Sequence, residues 1–368
     1  MWGLLISTLM NLKDEFNKSF IQELGNTLKS VSTSFDTDSF TRAILNKDWE
    51  QRELKDRMRF ITNNINAHLN YSYPKQIQLL SEIVADYGGL KGMVFPDFIQ
   101  VYGLDDLTIS LNAMELFTQY STAEFAIRPF IEKYPTEAMQ QMVIWSTHEN
   151  HHLRRLASEG CRPRLPWAPK LSNFITEPTP VLPILEQLKN DASLYVRKSV
   201  ANHINDISKD HPKLVLSLTE KWYGEKPHTN WIVKHALRTL LKKGDKKALA
   251  IFGLDDSKNL DTSNLTLSEN TLQIGEFLHF EFDVSNNSKQ NRNIRLEYKV
   301  AFVKANGSTS DKVFQLSEFT LKANTTKHFK RKQWFKELST RKHYPGEHKI
   351  TLVINGDEKS EISLSLTN

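Results

Sequence analysis

The stretch DASLYVRKSVANHINDISKDHP (residues 191–212) indicates the fold class of this chain, because its apolar residues recur at helical spacing. Residues three or four positions apart lie on one face of an α-helix. The members of this apolar stripe are Val196, Val200, Ile204 and Ile207. A cation, Arg197, directly follows the first of them. The stretch therefore predicts an amphipathic helix that buries one face against its neighbours.

The same pair of an apolar anchor and a cation recurs on both sides of this stretch. Leu153-Arg154 lies 43 residues before Val196-Arg197, and Val233-Lys234 lies 37 residues after it. A loose period of roughly 40 residues is typical of HEAT-type helical pairs, which stack into a solenoid. The other stripes at helical spacing are Leu107, Leu111 and Met114; Met142, Trp145, Leu153 and Leu156; and Val233, Leu237, Leu240 and Leu241.

The pattern of residue types along the sequence changes after Gly253. Short segments rich in β-branched and aromatic residues follow, and turns rich in Asn, Gly and Ser bound them. The clearest segments are residues 277–282, 294–300 and 349–354. We predict a mainly α fold: a HEAT-like helical-repeat solenoid over residues 1–253, then a small all-β immunoglobulin-like sandwich over residues 254–368. The boundary is expected between residues 250 and 262.

Composition restricts the class of protein further. Cys161 is the single cysteine of the 368 residues, so the chain has no intramolecular disulfide and no cysteine-rich metal site. That usage fits a reducing compartment, and we expect a cytoplasmic, nucleoid-associated protein. The apolar run Met1–Ile6 has no basic flank and no cleavage site. We therefore interpret it as a helix that packs inward, and we expect no membrane association.

Positive charge is concentrated in the middle of the chain. The net charge is +5, and residues 145–250 alone carry 18 Lys and Arg against 10 Asp and Glu. Clustered cations of this kind bind a phosphate backbone by releasing its counterions. The helix predicted from Trp231 carries Lys234, Arg238 and Lys242 at intervals of four residues, which form one basic stripe. A solvated helical face explains the same charge equally well.

The segment WSTHENHHLRRLASEGCRPRLPW (residues 145–167) contains the densest functional residues. His148 to His152 spell H-E-x-x-H, a motif that binds zinc when both imidazoles lie one helical turn apart. However, Arg155 stands where a metzincin has its glycine, and Ser158 where it has its third histidine. We therefore interpret these histidines as structural or phosphate-binding groups and predict no metal.

Three carboxylates and one indole are candidate site residues. Glu159, before a predicted C′ residue Gly160, and Asp206 both lie near helix ends, where an acid opposes the macrodipole. An external cation or neighbouring arginines would each explain that placement. Ser121 and Glu124 spell a capping box, which favours a structural role for Glu124. Two prolines stiffen the loop that ends at Trp167, whose ring can stack on a sugar or base.

These motifs together resemble one family. The segment just quoted, the upstream STAEFAIRPFI and the downstream DASLYVRKSVANHINDISKDHP closely resemble the AlkC branch of the AlkC/AlkD-type DNA alkylation-repair glycosylases. The clear match runs from about residue 104 to residue 241. The region around residues 339–346 resembles the immunoglobulin-like domain found in some AlkC proteins.

The resemblance implies a monofunctional glycosylase that removes cationic N3-alkylpurines, 3-methyladenine above all, from duplex DNA without a cofactor. It implies a monomer with Asp206, Glu159, Trp167 and Glu124 in the catalytic site, and we rank Glu124 below the other two carboxylates because of its capping box. The expected DNA contacts are Arg154, Arg155, Arg162, Arg164, Arg197, Lys198, Lys234, Arg238, Lys242, Arg341 and Lys342. The alternatives are a non-enzymatic DNA-binding solenoid and, less favoured, a zinc hydrolase.

Overall fold

The computed structural model describes residues 11–337 and 342–368. Its helices are α1 (Lys18–Val31), α2 (Thr37–Ile44), α3 (Leu54–His68), α4 (Tyr73–Ile83), α5 (Val94–Tyr102), α6 (Leu107–Phe117), α7 (Ile127–Lys133), α8 (Pro135–Ser146), α9 (His151–Glu159), α10 (Ser172–Thr176), α11 (Leu182–Leu188), α12 (Leu194–Ile207), α13 (Pro212–Trp222), α14 (Pro227–Ala236), α15 (Arg238–Lys242) and α16 (Lys246–Ala250). Its strands are β1 (Leu260–Leu267), β2 (Thr271–Gln273), β3 (Phe277–Asn286), β4 (Arg292–Val303), β5 (Thr309–Leu321), β6 (Thr325–Trp334), β7 (Gly346–Ile354) and β8 (Asp357–Thr367). Helical repeats followed by a β-sandwich confirm the predicted fold class.

The repeats that carry the candidate site pack as pairs of helices. α12 lies between α9 and α14, α8 packs on α9, and α11 packs on α12. The three predicted anchors Leu153, Val196 and Val233 are fully buried in these contacts. Burying one such side chain contributes about 1.5–3 kcal/mol, so the anchors hold neighbouring helices side by side.

Two of the predicted apolar stripes are divided between helices. Asn150 separates α8 from α9: its backbone is extended, and its side chain accepts a hydrogen bond from the amide of His152, which caps α9. α14 ends at Ala236 and α15 begins at Arg238, because Leu237 has a non-helical ψ of 1°. The basic stripe predicted on one continuous helix is therefore wrong. The predicted helix over Met1–Ile6 lies outside the described residues.

The chain divides into two compact units. The first comprises residues 1–211 and 224–236, and the second comprises residues 212–223 and 237–368. Secondary structure changes from helix to strand between Ala250 and Leu260. A domain boundary at residue 253 stays a prediction. Within the described ranges, no helix combines the length and the apolar composition needed to cross a membrane.

The β-sandwich consists of a three-stranded sheet in the order β1-β3-β6 and a five-stranded sheet in the order β2-β8-β7-β4-β5. β2 runs parallel to β8, and the other neighbours are antiparallel. Strand β3 alternates, with Leu278, Phe280 and Phe282 buried in the core and the intervening side chains turned away from it. This period of two is the signal that predicted the strand.

Candidate active site

Two buried carboxylates from different helices meet on one guanidinium group. Glu159 is the last residue of α9, and Asp206 is the second-last residue of α12. Arg162 donates from Nη1 to Glu159 Oε1 at 2.6 Å and from Nε to Asp206 Oδ2 at 2.9 Å. Its Nη2 lies 2.8 Å from the same Asp206 oxygen. Of the two explanations left open by the sequence, a neighbouring arginine is the one present here.

A third carboxylate joins this pair through a second arginine. Arg155 of α9 pairs through Nη1 with Glu124 Oε2, and its Nη2 lies 3.6 Å from Glu159 Oε1. The hydroxyl of Thr122 donates to Glu124 at 2.9 Å and accepts from Arg155 at 2.7 Å. We call Glu124, Glu159, Asp206, Arg155 and Arg162 the carboxylate cluster.

The carboxylate cluster is a set of fixed charges. Burial raises the pKa of the Glu159 carboxyl, but the charges of Arg155 and Arg162 outweigh burial and hold this pKa below its ordinary value of 4.5. Burial lowers the pKa of Arg162, and the Glu159 and Asp206 carboxylates more than offset that effect. Three carboxylates thus face two guanidinium groups, with a half-exposed Lys209 ammonium 3.0 Å from the outer oxygen of Asp206.

The capping box predicted at Glu124 does not form. α7 begins only at Ile127, and the Ser121 hydroxyl donates to the carbonyl of Gly89 instead of capping that helix. Glu124 lies before the helix and has the most exposed side chain of the three carboxylates, at 12% against 8% for Glu159 and 3% for Asp206. The reason for ranking Glu124 last is therefore wrong.

Gly160 ends α9, but it does so without the left-handed conformation expected of a C′ glycine. Its φ of −63° and ψ of −34° are right-handed. A Cβ atom at this position would lie 2.5 Å from Cγ2 of Ile127. The glycine is therefore needed for the close approach of α9 to α7, which brings Glu159 near the segment that carries Glu124.

Two residues that the sequence analysis did not single out hold the end of α9. Arg128 donates to the carbonyls of Gly160, Arg162 and Pro169 at 3.0, 2.8 and 2.5 Å, and burial lowers its pKa to about 10. The Nδ1 atom of His203 lies 2.9 Å from the Ser158 carbonyl, so it carries the proton of a neutral ring. Both residues occur within the quoted motifs, but neither has a spacing that distinguishes it from an ordinary helical residue.

Trp167 lies in the loop that follows Arg162. Its side chain is 69% exposed, and its φ of +64° is left-handed, which is uncommon for a residue with a large side chain. Lys55 of α3 donates to its carbonyl, and the same ammonium lies 4.1 Å from the centroid of the Phe125 ring, next to Glu124. The structure thus brings Trp167 and the carboxylate cluster into one region of the first unit.

Most of the predicted DNA-binding arginines are bound within the protein. Arg162 is buried in the carboxylate cluster, where Arg155 also lies, and Arg164 makes a two-pronged pair with Asp210 at 2.9 and 3.0 Å. The expectation that Arg162 contacts phosphate at the surface is wrong, because its side-chain donors bind Glu159 and Asp206 inside the protein. Burial and pairing thus change this residue from a surface contact to an internal counterion.

Arg154 and Arg197 each donate hydrogen bonds to backbone carbonyls of the protein itself. Each guanidinium folds back onto the two carbonyls six and five positions earlier: Arg154 donates to His148 and Glu149, and Arg197 donates to Asp191 and Ala192. Among the other predicted contacts, Lys198, Lys234, Lys242 and Lys342 are exposed, and Arg238 is half-buried. Arg341 lies outside the described residues.

The H-E-x-x-H string does not have the geometry of a zinc helix. α9 begins at His151, and His148 lies before it, with its Nδ1 accepting from the Asn150 amide at 2.9 Å. His151 and His152 instead lie beside the Tyr195 ring, at centroid distances of 6.2 and 5.8 Å. In the part of the chain that the structure describes, no three His, Cys, Asp or Glu side chains are grouped to hold a metal ion.

Comparison with known proteins agrees with this architecture. Residues 117–240 match the family model described as DNA alkylation repair enzyme. Residues 261–368 match the model described as uncharacterised protein YhaZ, C-terminal Ig-like domain. The uncharacterized protein YhaZ of Bacillus subtilis (strain 168) is 43% identical over 358 residues, which are 97% of this chain and 100% of that protein.

A solved structure extends the similarity to the whole fold. The alkylpurine DNA glycosylase AlkC of Pseudomonas fluorescens, bound to DNA containing an abasic site analog, superimposes with a TM-score of 0.95 at 35% identity. The match covers 98% of this chain and 100% of that one. The family model and this full-length similarity place the chain in the class of DNA alkylation-repair proteins. Within this class, the chain belongs to the AlkC family.

Proposed function

We propose that this protein is a monofunctional DNA glycosylase that excises cationic alkylated purines, 3-methyladenine above all, from duplex DNA. The observation that carries the proposal is the buried carboxylate cluster, followed in the loop after Arg162 by an exposed tryptophan, in a chain that matches AlkC over its whole length. Chromosomal DNA as substrate would place the protein at the nucleoid. Neither a metal ion nor an organic cofactor has a part in the proposed reaction.

The chemistry follows from the charge of the lesion. A cationic purine leaves as a neutral base, and positive charge moves onto the deoxyribose as the glycosidic bond breaks. One carboxylate about 4 Å from that charge, at an effective dielectric of about 20, contributes roughly 4 kcal/mol. This is about three decades in rate. The exposed face of Trp167 against the sugar would add about 0.5–2 kcal/mol.

Within the carboxylate cluster, Arg162 binds Oε1 of Glu159 and Oδ2 of Asp206. The buried charges of these two carboxylates therefore act on the sugar through space. Glu124 is the most exposed of the three and the best placed to accept a proton from the attacking water. Arg155 and Arg162 hold the pKa of the Glu159 carboxyl below its ordinary value, so this group carries its negative charge at neutral pH. Exposed lysines would bind the phosphates: Lys198, Lys234, Lys242 and Lys342.

The test is release of 3-methyladenine from methylated duplex DNA under single-turnover conditions. Glu124→Gln, Glu159→Gln and Asp206→Asn are each expected to slow release by about two to three decades, because each removes one fixed charge near the sugar. DNA affinity should change less than about threefold. Asp210→Asn is the matched control, since Asp210 pairs with Arg164 outside the carboxylate cluster, and it should cleave at the parent rate.

Three outcomes would contradict the proposal. Absence of release by the parent protein would favour the non-enzymatic DNA-binding solenoid. If all three variants release the base at the parent rate, the assignment of the carboxylate cluster as the catalytic site is wrong, although the glycosylase activity stands. Trapping of a covalent DNA adduct by borohydride would indicate an amine nucleophile, for which Lys209 beside Asp206 is the candidate, instead of water.

A further inference from the structure

The backbone of Trp167 adopts a conformation that its side chain does not favour. A φ of +64° is left-handed, and for a residue with a Cβ atom this region is used mainly where surrounding contacts impose it. The indole itself is 69% exposed, so packing of the ring does not supply those contacts. The groups that fix the loop must therefore act on its backbone.

Two cations from different helices bind that backbone. Arg128 of α7 holds the carbonyls of Arg162 and Pro169 on either side of the turn, at 2.8 and 2.5 Å. Lys55 of α3 donates to the carbonyl of Trp167 itself. Its ammonium lies over the Phe125 ring, 4.1 Å from the centroid, which adds a cation–π contact.

Asp97 of α5 lines the same cavity as Lys55, but both of its oxygens accept hydrogen bonds from another residue. Both oxygens of Asp97 accept from Arg59, at 2.8 Å each, in a two-pronged pair. Lys55 and Arg59 line the same cavity of about 280 Å³ with Phe125, Arg128 and Pro169. Arg59 thus neutralises the buried carboxylate of the cavity, and Lys55 remains directed at the loop.

We propose that Lys55 is a positioning residue that fixes the Trp167 indole for contact with the deoxyribose. The proposal rests on the proposed glycosylase function and adds a residue from α3, far from the carboxylates in sequence. Lys55 touches no reacting atom: it acts through the carbonyl of Trp167. Removing it should therefore matter only while the indole is present.

This dependence gives the experiment. Lys55→Met keeps an unbranched apolar side chain and removes the donor. We expect single-turnover release of 3-methyladenine to fall at least tenfold, with DNA affinity within about twofold. In a Trp167→Ala background, the same change should cost less than about twofold, because the two residues act as one unit. Lys75→Met, an exposed lysine of α4 in the same unit, is the matched control and should leave the rate unchanged.

A second readout is independent of activity. In DNA-free protein carrying 5-fluorotryptophan, the ¹⁹F resonance identified by Trp167→Phe should shift or broaden in Lys55→Met and recover in Lys55→Arg. Equal rate losses with and without the indole, or an unchanged resonance, would overturn the proposal. If the parent protein releases no base but the resonance moves as expected, the proposed function fails and the positioning contact stands.

Discussion

At the scale of single residues, the arginines in this protein serve mainly as counterions for its own carboxylates. Arg162 lies between Glu159 and Asp206, and Arg155 lies between Glu124 and Glu159. A buried charge that loses its partner costs about 3–5 kcal/mol, so each member of the cluster helps to hold the others in place. The cluster is thereby preorganised before any substrate arrives.

His203 gives a testable pH dependence at this scale. Burial lowers its pKa from 6.5 to about 3. Between these values the unfolded chain binds a proton that the folded protein excludes, so the free energy of unfolding should fall as the pH drops below 6.5. At pH 5 the loss is about 2 kcal/mol.

The measurement is urea unfolding at pH 7 and pH 5 for the parent and for His203→Gln, which keeps a donor for the Ser158 carbonyl. The parent should lose about 2 kcal/mol more than the variant over this interval, because the other titrating groups are the same in both. A ¹³C spectrum that shows a charged His203 ring at pH 5 would contradict the assignment.

At the scale of elements, one arginine links consecutive helical repeats. Arg154 of α9 binds the loop before its own helix. It also donates to both carboxylate oxygens of Asp191, in the loop before α12, at 2.6 and 3.2 Å. Asp191 in turn accepts from the Ser193 amide at the start of α12. The link fixes α12 against α9, and therefore Asp206 against Glu159.

Breaking this link should destabilise the first unit. The Asp191 side chain is only 5% exposed, so Arg154→Met leaves a nearly buried carboxylate without its cation, at a cost of about 3 kcal/mol. Arg164→Met is the control, since its partner Asp210 is 28% exposed and such pairs contribute about 0–1 kcal/mol. Chemical denaturation measures both, and equal losses would show that Arg154 is not a link between repeats.

At the scale of the whole molecule, the last helices are part of the second unit. The turn before α16 and the turn between β7 and β8 meet at two glycines, Gly244 and Gly356. Lys246 pairs with Asp357 at 2.6 Å beside them. A truncation at residue 254 would therefore uncover Leu249 as well as remove the sandwich, so it is not a clean test of the sandwich in DNA binding.

Gly356 should tolerate no side chain. It has a φ of +80°, and a Cβ atom would lie 2.7 Å from Leu249 Cδ1 and 2.9 Å from Gly244 Cα. Gly356→Ala adds left-handed strain to overpacking, and we expect a loss of about 2–4 kcal/mol. Gly307→Ala has nearly the same φ, +77°, with open space around it, and should lose only about 1 kcal/mol. Similar thermal shifts in both variants would exclude the close contact.

Local sequence pattern determined the class of each element. The periods of 3.6 and two residues follow from burying one face of a helix or strand. The sequence alone therefore predicts the alternation of β3 and the buried anchors Leu153, Val196 and Val233. Helix ends were harder to predict: the break at Asn150 depends on a single cap. The expected capping box at Glu124 does not form, because α7 begins at Ile127, five residues after the position that directly follows Ser121. The family resemblance supplied the candidate carboxylates, whose catalytic roles stay a prediction.

Only the tertiary structure decided which charges meet. Arg162 and Asp206 are 44 residues apart, and Lys55 and Trp167 are 112 apart. No local pattern encodes such pairs, because the partner of a charged side chain is set by which helices pack together. The physical reason is that hydrophobic periodicity reports which face is buried, whereas ion pairing depends on what lies across the interface. Arg162, which the sequence analysis assigned to phosphate binding, therefore lies at the centre of the candidate site, between Glu159 and Asp206.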